Sequence, residues 1–166
     1  MPNHQHYRAC LQNMYWQTDF KKLSKPQQQW LSISGSLTAA LKQHCKIFTV
    51  IPLFEGWITE KHSFYLDELA GYQQYWLREV ILAGDNQAWI FARTVIPTNT
   101  FQQYRDAFQQ LGNQPIGEWL FQQSTIRSEL VWGRNEGKFA RRSTLTISQY
   151  PLQVSELFLE DFWRKA

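Results

Sequence analysis

Sulfur, histidine and long apolar runs are what this 166-residue sequence has least of. Cys10 and Cys45 stand far apart with no secretory signal ahead of them. That is not the pattern of a disulfide framework, so both are expected as reduced, cytosolic thiols. The longest near-apolar run, FTVIPLF, is too short to cross a bilayer, and MPNHQHYRACLQNMYW lacks the apolar core of a signal peptide. Stable membrane insertion is therefore not expected, and a cytoplasmic location is. His4, His6, His44 and His62 with two isolated cysteines give no metal-ligand spacing, so neither a metal nor another cofactor is expected. No Gly-rich phosphate loop and no GxSxG elbow occurs, which disfavours nucleotide binding and a Ser-His-Asp hydrolase. The 17 Lys and Arg are spread along the chain against 14 Asp and Glu, which argues against nucleic acid as a partner.

What is present is globular. Hydrophobic residues make up 43% of the chain and charged residues 19%, with 8 Trp, so a disordered reading has nothing to rest on. At this length a single domain over residues 1–166 is expected, burying roughly 70% of its unfolded surface, enough to enclose a small pocket.

Periodicity predicts helices in PQQQWLSIS and in GSLTAALKQHC, the second with Ser36 as N-cap and Leu37 and Leu41 on one face. NTFQQYRDAFQQLG reads as one longer helix, capped by Thr100, with Phe101, Tyr104, Phe108 and Leu111 on one side and Gly112 ending it. Strands are expected at 46–59, 75–83, 88–97, 124–134, 139–148 and 152–159, joined by tight turns such as GDNQ and GRNEGK. Runs of strands with helices clustered between them give an α+β fold on an antiparallel sheet.

Two strands carry a charge on an otherwise apolar face. Trp76, Arg78, Val80 and Leu82 alternate on one, and Trp89, Phe91, Arg93 and Val95 on the next. If GDNQ pairs Ala83 with Ala88 and the register continues unbroken, Arg78 comes opposite Arg93. Two facing guanidiniums call for an anion between them, which either an acidic side chain or an anionic ligand supplies. A slip of one residue would part the two arginines. In the last strand Glu156 interrupts the row of Val154 and Phe158. It is either the partner of one of those arginines or an acceptor for a ligand hydroxyl across a closed cavity.

YWLREVIL, WIFARTVIP, LGNQPIGEWLF, FARRSTL and SELFL, in that order and spacing, resemble the chorismate lyase family over residues 28–160. The resemblance implies an antiparallel sheet covered by helices, with an internal site sealed by helical flaps. There chorismate would lose pyruvate to give 4-hydroxybenzoate, the first committed step of ubiquinone biosynthesis. It implies that Arg78 grips the ring carboxylate and that Glu156 accepts from the ring hydroxyl. Ile116, where the family usually has leucine, would act through its backbone amide, and Leu37 would stand where the flap carries methionine. Arg93 would serve a secondary ligand site or access path, and Arg141 and Arg142 fall in a motif without an assigned role. A monomer subject to product inhibition is expected. The alternative is a non-catalytic domain of the same fold that senses a small carboxylate. A third reading is a structural protein whose arginines are satisfied internally.

Overall fold

The computed structural model describes residues 4–59, 69, 71, 72 and 74–165; His62 lies outside them. Eight strands form one antiparallel sheet: β1 (Tyr15–Gln17), β2 (Phe48–Thr59), β3 (Gln74–Gly84), β4 (Gln87–Pro97), β5 (Thr125–Arg127), β6 (Val131–Asn135), β7 (Lys138–Ile147) and β8 (Tyr150–Phe158). Their order is β1-β6-β7-β8-β4-β3-β2, and β5 continues along the edge of β7 beyond the end of β6. The helices are α1 (His4–Gln12), α2 (Lys25–Leu31), α3 (Leu37–Lys42), α4 (Thr98–Gln103), α5 (Arg105–Gln109), α6 (Ile116–Phe121) and α7 (Glu160–Lys165). The α+β class and the antiparallel sheet agree with the sequence.

Two hairpins set the frame. Asp85 and Asn86 take φ of 49° and 68°, and Glu136 and Gly137 take 52° and 74°. Positive φ at both central residues is the twist-matching geometry of two-residue hairpin turns, which Asn and Gly tolerate best.

Unbroken register beyond the first hairpin does not hold. Ala83 does pair with Ala88, but Leu82 then pairs with Ile90, so Trp89 is an extra residue in β4. Its indole lies over Gly84, where an added Cβ would come within 2.3 Å of the ring; only glycine leaves that space. From there the pairing runs Val80 with Ala92, Glu79 with Arg93 and Arg78 with Thr94. Arg78 and Arg93 are therefore on opposite faces of the sheet.

Two other expectations change. The helix expected from residue 99 to 111 breaks at Tyr104 into α4 and α5. Thr100 is wholly buried and donates its hydroxyl to Pro151 O at 2.7 Å instead of capping, while Phe101, Phe108 and Leu111 pack inward as the periodicity implied. The strand expected at 124–134 divides into β5 and β6, both paired with β7.

One face of the sheet carries two apolar clusters with a gap between them. Near the hairpin end, Leu82, Ile90 and Phe158 pack with Trp30 of α2, Leu41 of α3 and Phe162 of α7. Toward the other end, Ile96, Leu145 and Leu152 pack with Phe101, Phe108 and Leu120 of α4, α5 and α6. The opposite face is covered by α1 through Cys10 and Leu11, which meet Ile81, Phe91, Ala140 and Leu157. Both cysteines are free thiols.

Candidate active site

Two rows of side chains cross the gap between the apolar clusters. Register places Glu55, Arg78, Thr94, Val154 and Ser143 side by side from β2 to β7, and the adjacent row holds Val80, Ala92, Glu156 and Arg141. These rows, apart from Glu55, floor a pocket roofed by α3, through Ser36, Leu37 and Thr38, and by α6 with its entry turn, through Pro115, Ile116 and Leu120. The cavity is about 60 Å³, the scale of a few water molecules, so the roof must part to admit anything larger.

The roof is built from short helices that owe their stability to packing and caps rather than length. Ser24 and Gln27 form a reciprocal capping box at the start of α2, and Ser36 caps α3 by accepting from Ala39 N at 3.1 Å. Within the roof, α3 and α6 approach closely at Thr38 and Gly117, where a Cβ would lie 3.3 Å from the threonine hydroxyl. Lys42 and Glu118 join the same two helices by an ion pair.

Arg78 is 3% exposed. One of its Nη groups donates to Glu55, the other to Gly112 O at 3.0 Å and Gln114 O at 2.8 Å. It thus holds the loop that leads into α6, and two of its five N–H donors remain for a ligand. Burial pulls its pKa down from the usual guanidinium value, an effect that the Glu55 charge and hydrogen bond oppose.

Glu156 pairs with neither Arg78 nor Arg93. Its Oε1 accepts from Arg141 Nε at 2.8 Å, and Arg141 also donates to Ile33 O at 2.7 Å in the turn before α3. Arg141 is thereby the residue that orients the carboxylate and ties it to the roof. Counting two strand spacings and two residues along the strand, the Cα atoms of Arg78 and Glu156 lie roughly 12 Å apart, with both side chains on the pocket face.

Arg93, expected beside Arg78, does not line this pocket. On the α1 face it donates through Nε to Glu79 Oε2 at 3.0 Å. Glu79 is fully buried and also receives His4 Nε2 at 2.6 Å and the Arg8 guanidinium, with Arg8 Nε at 3.1 Å. Burial alone would raise the Glu79 pKa; hydrogen bonds from Arg8, the Arg93 charge and His4 outweigh it and hold the carboxyl below its ordinary value.

Sequence alternation placed Arg78 and Glu156 correctly among apolar neighbours, and Leu37 and Ile116 both reach the pocket. Arg127 and Arg141 line it as well and were not assigned to it. Alternation along 139–145 was the signal for Arg141, which shares its face with Ser143 and Leu145. Among the described residues no three His, Cys, Asp or Glu side chains cluster as metal ligands would, and no described helix is long and apolar enough to cross a membrane.

A pocket enclosed between an antiparallel sheet and two short helices, with guanidiniums and one carboxylate inside, is a site for a small anion bearing a hydrogen-bond donor. Comparison with known proteins narrows that class. The family model described as chorismate lyase matches residues 10–166, further at both ends than the sequence motifs reach. A chorismate pyruvate-lyase of Pectobacterium atrosepticum is 39% identical over 134 residues, 80% of this chain and 76% of its own. Similar too are the chorismate pyruvate-lyase of Cronobacter sakazakii, 37% identical over 147 residues with 85% of each chain covered, and a probable chorismate pyruvate-lyase of Bartonella bacilliformis, 36% identical over 156 residues, 92% and 91%. The chain belongs to the chorismate lyase family.

Proposed function

We infer that the protein is a lyase that converts chorismate to 4-hydroxybenzoate and pyruvate. The carrying observation is that Arg78 and Glu156 face one pocket from strands two apart, among apolar walls. Chorismate has a ring carboxylate, a hydroxyl para to it, and an enolpyruvyl ether on the ring carbon next to the hydroxyl. Arg78, with two donors unspent, takes the ring carboxylate, and Glu156 accepts from the hydroxyl. The first amides of α6 have no side-chain cap, and the Ile116 backbone is offered as a further donor to the ring carboxylate. Leu37 supplies an apolar contact from the roof.

In the reaction the ether C–O bond breaks with its electron pair moving to oxygen, and the ring carbon bearing the hydroxyl loses its proton. Enolpyruvate takes up a proton and becomes pyruvate, and the ring becomes aromatic. Aromatisation supplies the driving force, so the pocket's contribution is to exclude water and hold the reactive conformer; alignment of this kind lowers barriers by up to ~7–11 kcal/mol in favourable cases. Glu156, oriented by Arg141, holds the hydroxyl beside the carbon that gives up its proton. We place the reaction in the cytoplasm, carried out by a monomer of one domain, with the aromatic product retained by the same two groups. Purified protein given chorismate should release pyruvate and 4-hydroxybenzoate in equal amounts. Binding without release of either product would overturn the reading in favour of a sensing domain.

A further inference from the structure

The charges that face the pocket do not cancel. Arg78 is paired with Glu55 and Arg141 with Glu156, but no described carboxylate lies within ion-pair distance of Arg127. Arg127 reaches the pocket because β5 pairs with the far half of β7: its partner is Leu145, on the same face as Arg141 and Ser143. It makes one hydrogen bond, from Nη1 to Ile33 O at 3.3 Å, onto the carbonyl that Arg141 already bonds. Two guanidiniums thus meet at one oxygen, and the one carboxylate near them, Glu156, bonds Arg141. Burial lowers the Arg127 pKa, the Arg141 charge lowers it further, and Glu156 opposes both incompletely. Like charges brought together in a partly desolvated site favour a second anion there, and four of the five Arg127 donors are left to bind it.

The arithmetic of the lining residues says the same. Arg78, Arg127 and Arg141 stand against two carboxylates, Glu55 on Arg78 and Glu156 on Arg141, which leaves a surplus of one positive charge, on Arg127. Arg78 accounts for one carboxylate. The enolpyruvyl arm leaves the ring beside the hydroxyl-bearing carbon, so its carboxylate falls on the Glu156 side of the pocket, where Arg127 stands.

We propose that Arg127 receives the carboxylate of the enolpyruvyl arm, a contact that the dianionic substrate makes and its monoanionic aromatic product does not. This rests on the reading of the protein as a chorismate-cleaving lyase. When the ether bond breaks, the electron pair settles on an oxygen one carbon away from the carboxylate that Arg127 holds. The cation is then already in place where charge develops. The pyruvate formed keeps that carboxylate, and the aromatic product does not.

The test separates substrate from product. In Arg127→Gln the KM for chorismate should rise about 10- to 100-fold, the usual cost of losing a charge-assisted hydrogen bond, while calorimetric affinity for 4-hydroxybenzoate stays within about twofold of wild type. Arg127→Lys should recover part of the loss and carries the comparison if the glutamine variant does not fold. A chorismate analogue whose arm carboxylate is an amide should bind wild type and Arg127→Gln alike. An unchanged chorismate KM, or equal weakening of substrate and product, would overturn the proposal. Wild-type protein that releases no pyruvate overturns the lyase reading instead; the substrate-to-product ratio is then read from calorimetric affinities for the two ligands.

Discussion

Lys42 on α3 and Glu118 on α6 form an ion pair between the two helices that roof the pocket, each side chain a little under half exposed. Pairs so exposed contribute about 0–1 kcal/mol to folding. Their consequence here is on opening, because the same two helices must part for ligand to move. Glu118→Gln should leave the melting temperature within a few degrees of wild type and raise the rate of product release. Stopped-flow measurement of 4-hydroxybenzoate dissociation would show it, and an unchanged rate would separate the ion pair from the gate.

If release through that gate limits turnover, wild-type enzyme shows a burst of product before steady state and strong competitive inhibition by 4-hydroxybenzoate. Leu37→Ala, which trims a roof contact that is 4% exposed, should weaken the product several-fold and diminish the burst while sparing the chemical step. A progress curve without a burst in wild type would show that chemistry is slower than opening.

Arg78→Lys should lose at least tenfold in kcat/KM, because a point charge replaces neither the planar fork nor the bonds to Gly112 and Gln114 carbonyls. Glu55→Gln should cost less, since it weakens one contact of the guanidinium and leaves the others. Equal kinetics of wild type and the lysine variant would remove Arg78 from the carboxylate-binding role.

Glu156→Gln keeps the shape of the side chain and weakens acceptance from the hydroxyl, so the loss in rate should exceed the loss in stability. Arg141→Lys should lower kcat through misorientation of Glu156 and leave chorismate KM less affected. Were Glu156→Gln instead to melt early while its folded fraction works normally, the carboxylate would be structural.

The buried Glu79 cluster sets a pH dependence of folding. Its carboxyl is held below the ordinary value, so the stability it contributes is fully present above the unfolded value of about 4.3 and is lost as pH falls through the folded value. Glu79→Gln removes the buried negative charge that Arg8 and Arg93 both face and should cost about 3–5 kcal/mol at neutral pH. The gap in melting temperature between variant and wild type should narrow below about pH 4; a gap constant from pH 7 to pH 3 would contradict this.

Alternation made Arg78 and Glu156 visible because each is a charge in an apolar row, and that pattern survives whatever the strand order. The facing of Arg93 was not legible, since one extra residue at Trp89 reverses every side chain that follows, and a bulge is a matter of how an indole packs on Gly84 rather than of periodicity. The break at Tyr104 was hidden for a related reason: Phe101 and Phe108 keep helical spacing across it, while the buried bond from Thr100 to Pro151 belongs to tertiary structure. Arg127 sits in a three-residue strand with exposed Ile126 beside it, too short a segment for alternation to declare a face. Family resemblance supplied the chemistry, and pairing with β7 supplied the neighbours.

The bulge at Trp89 works as a sorting device between two chemistries. Were Trp89 drawn into the ladder opposite Leu82, the two faces of β4 would exchange their contents: Phe91 and Arg93 would enter the pocket, and Ala92 and Thr94 would turn toward α1. Ligand site and α1 anchor are thereby tied to one packing choice, the indole of Trp89 set on Gly84 outside the ladder, so neither face of the strand can be re-aimed without the other.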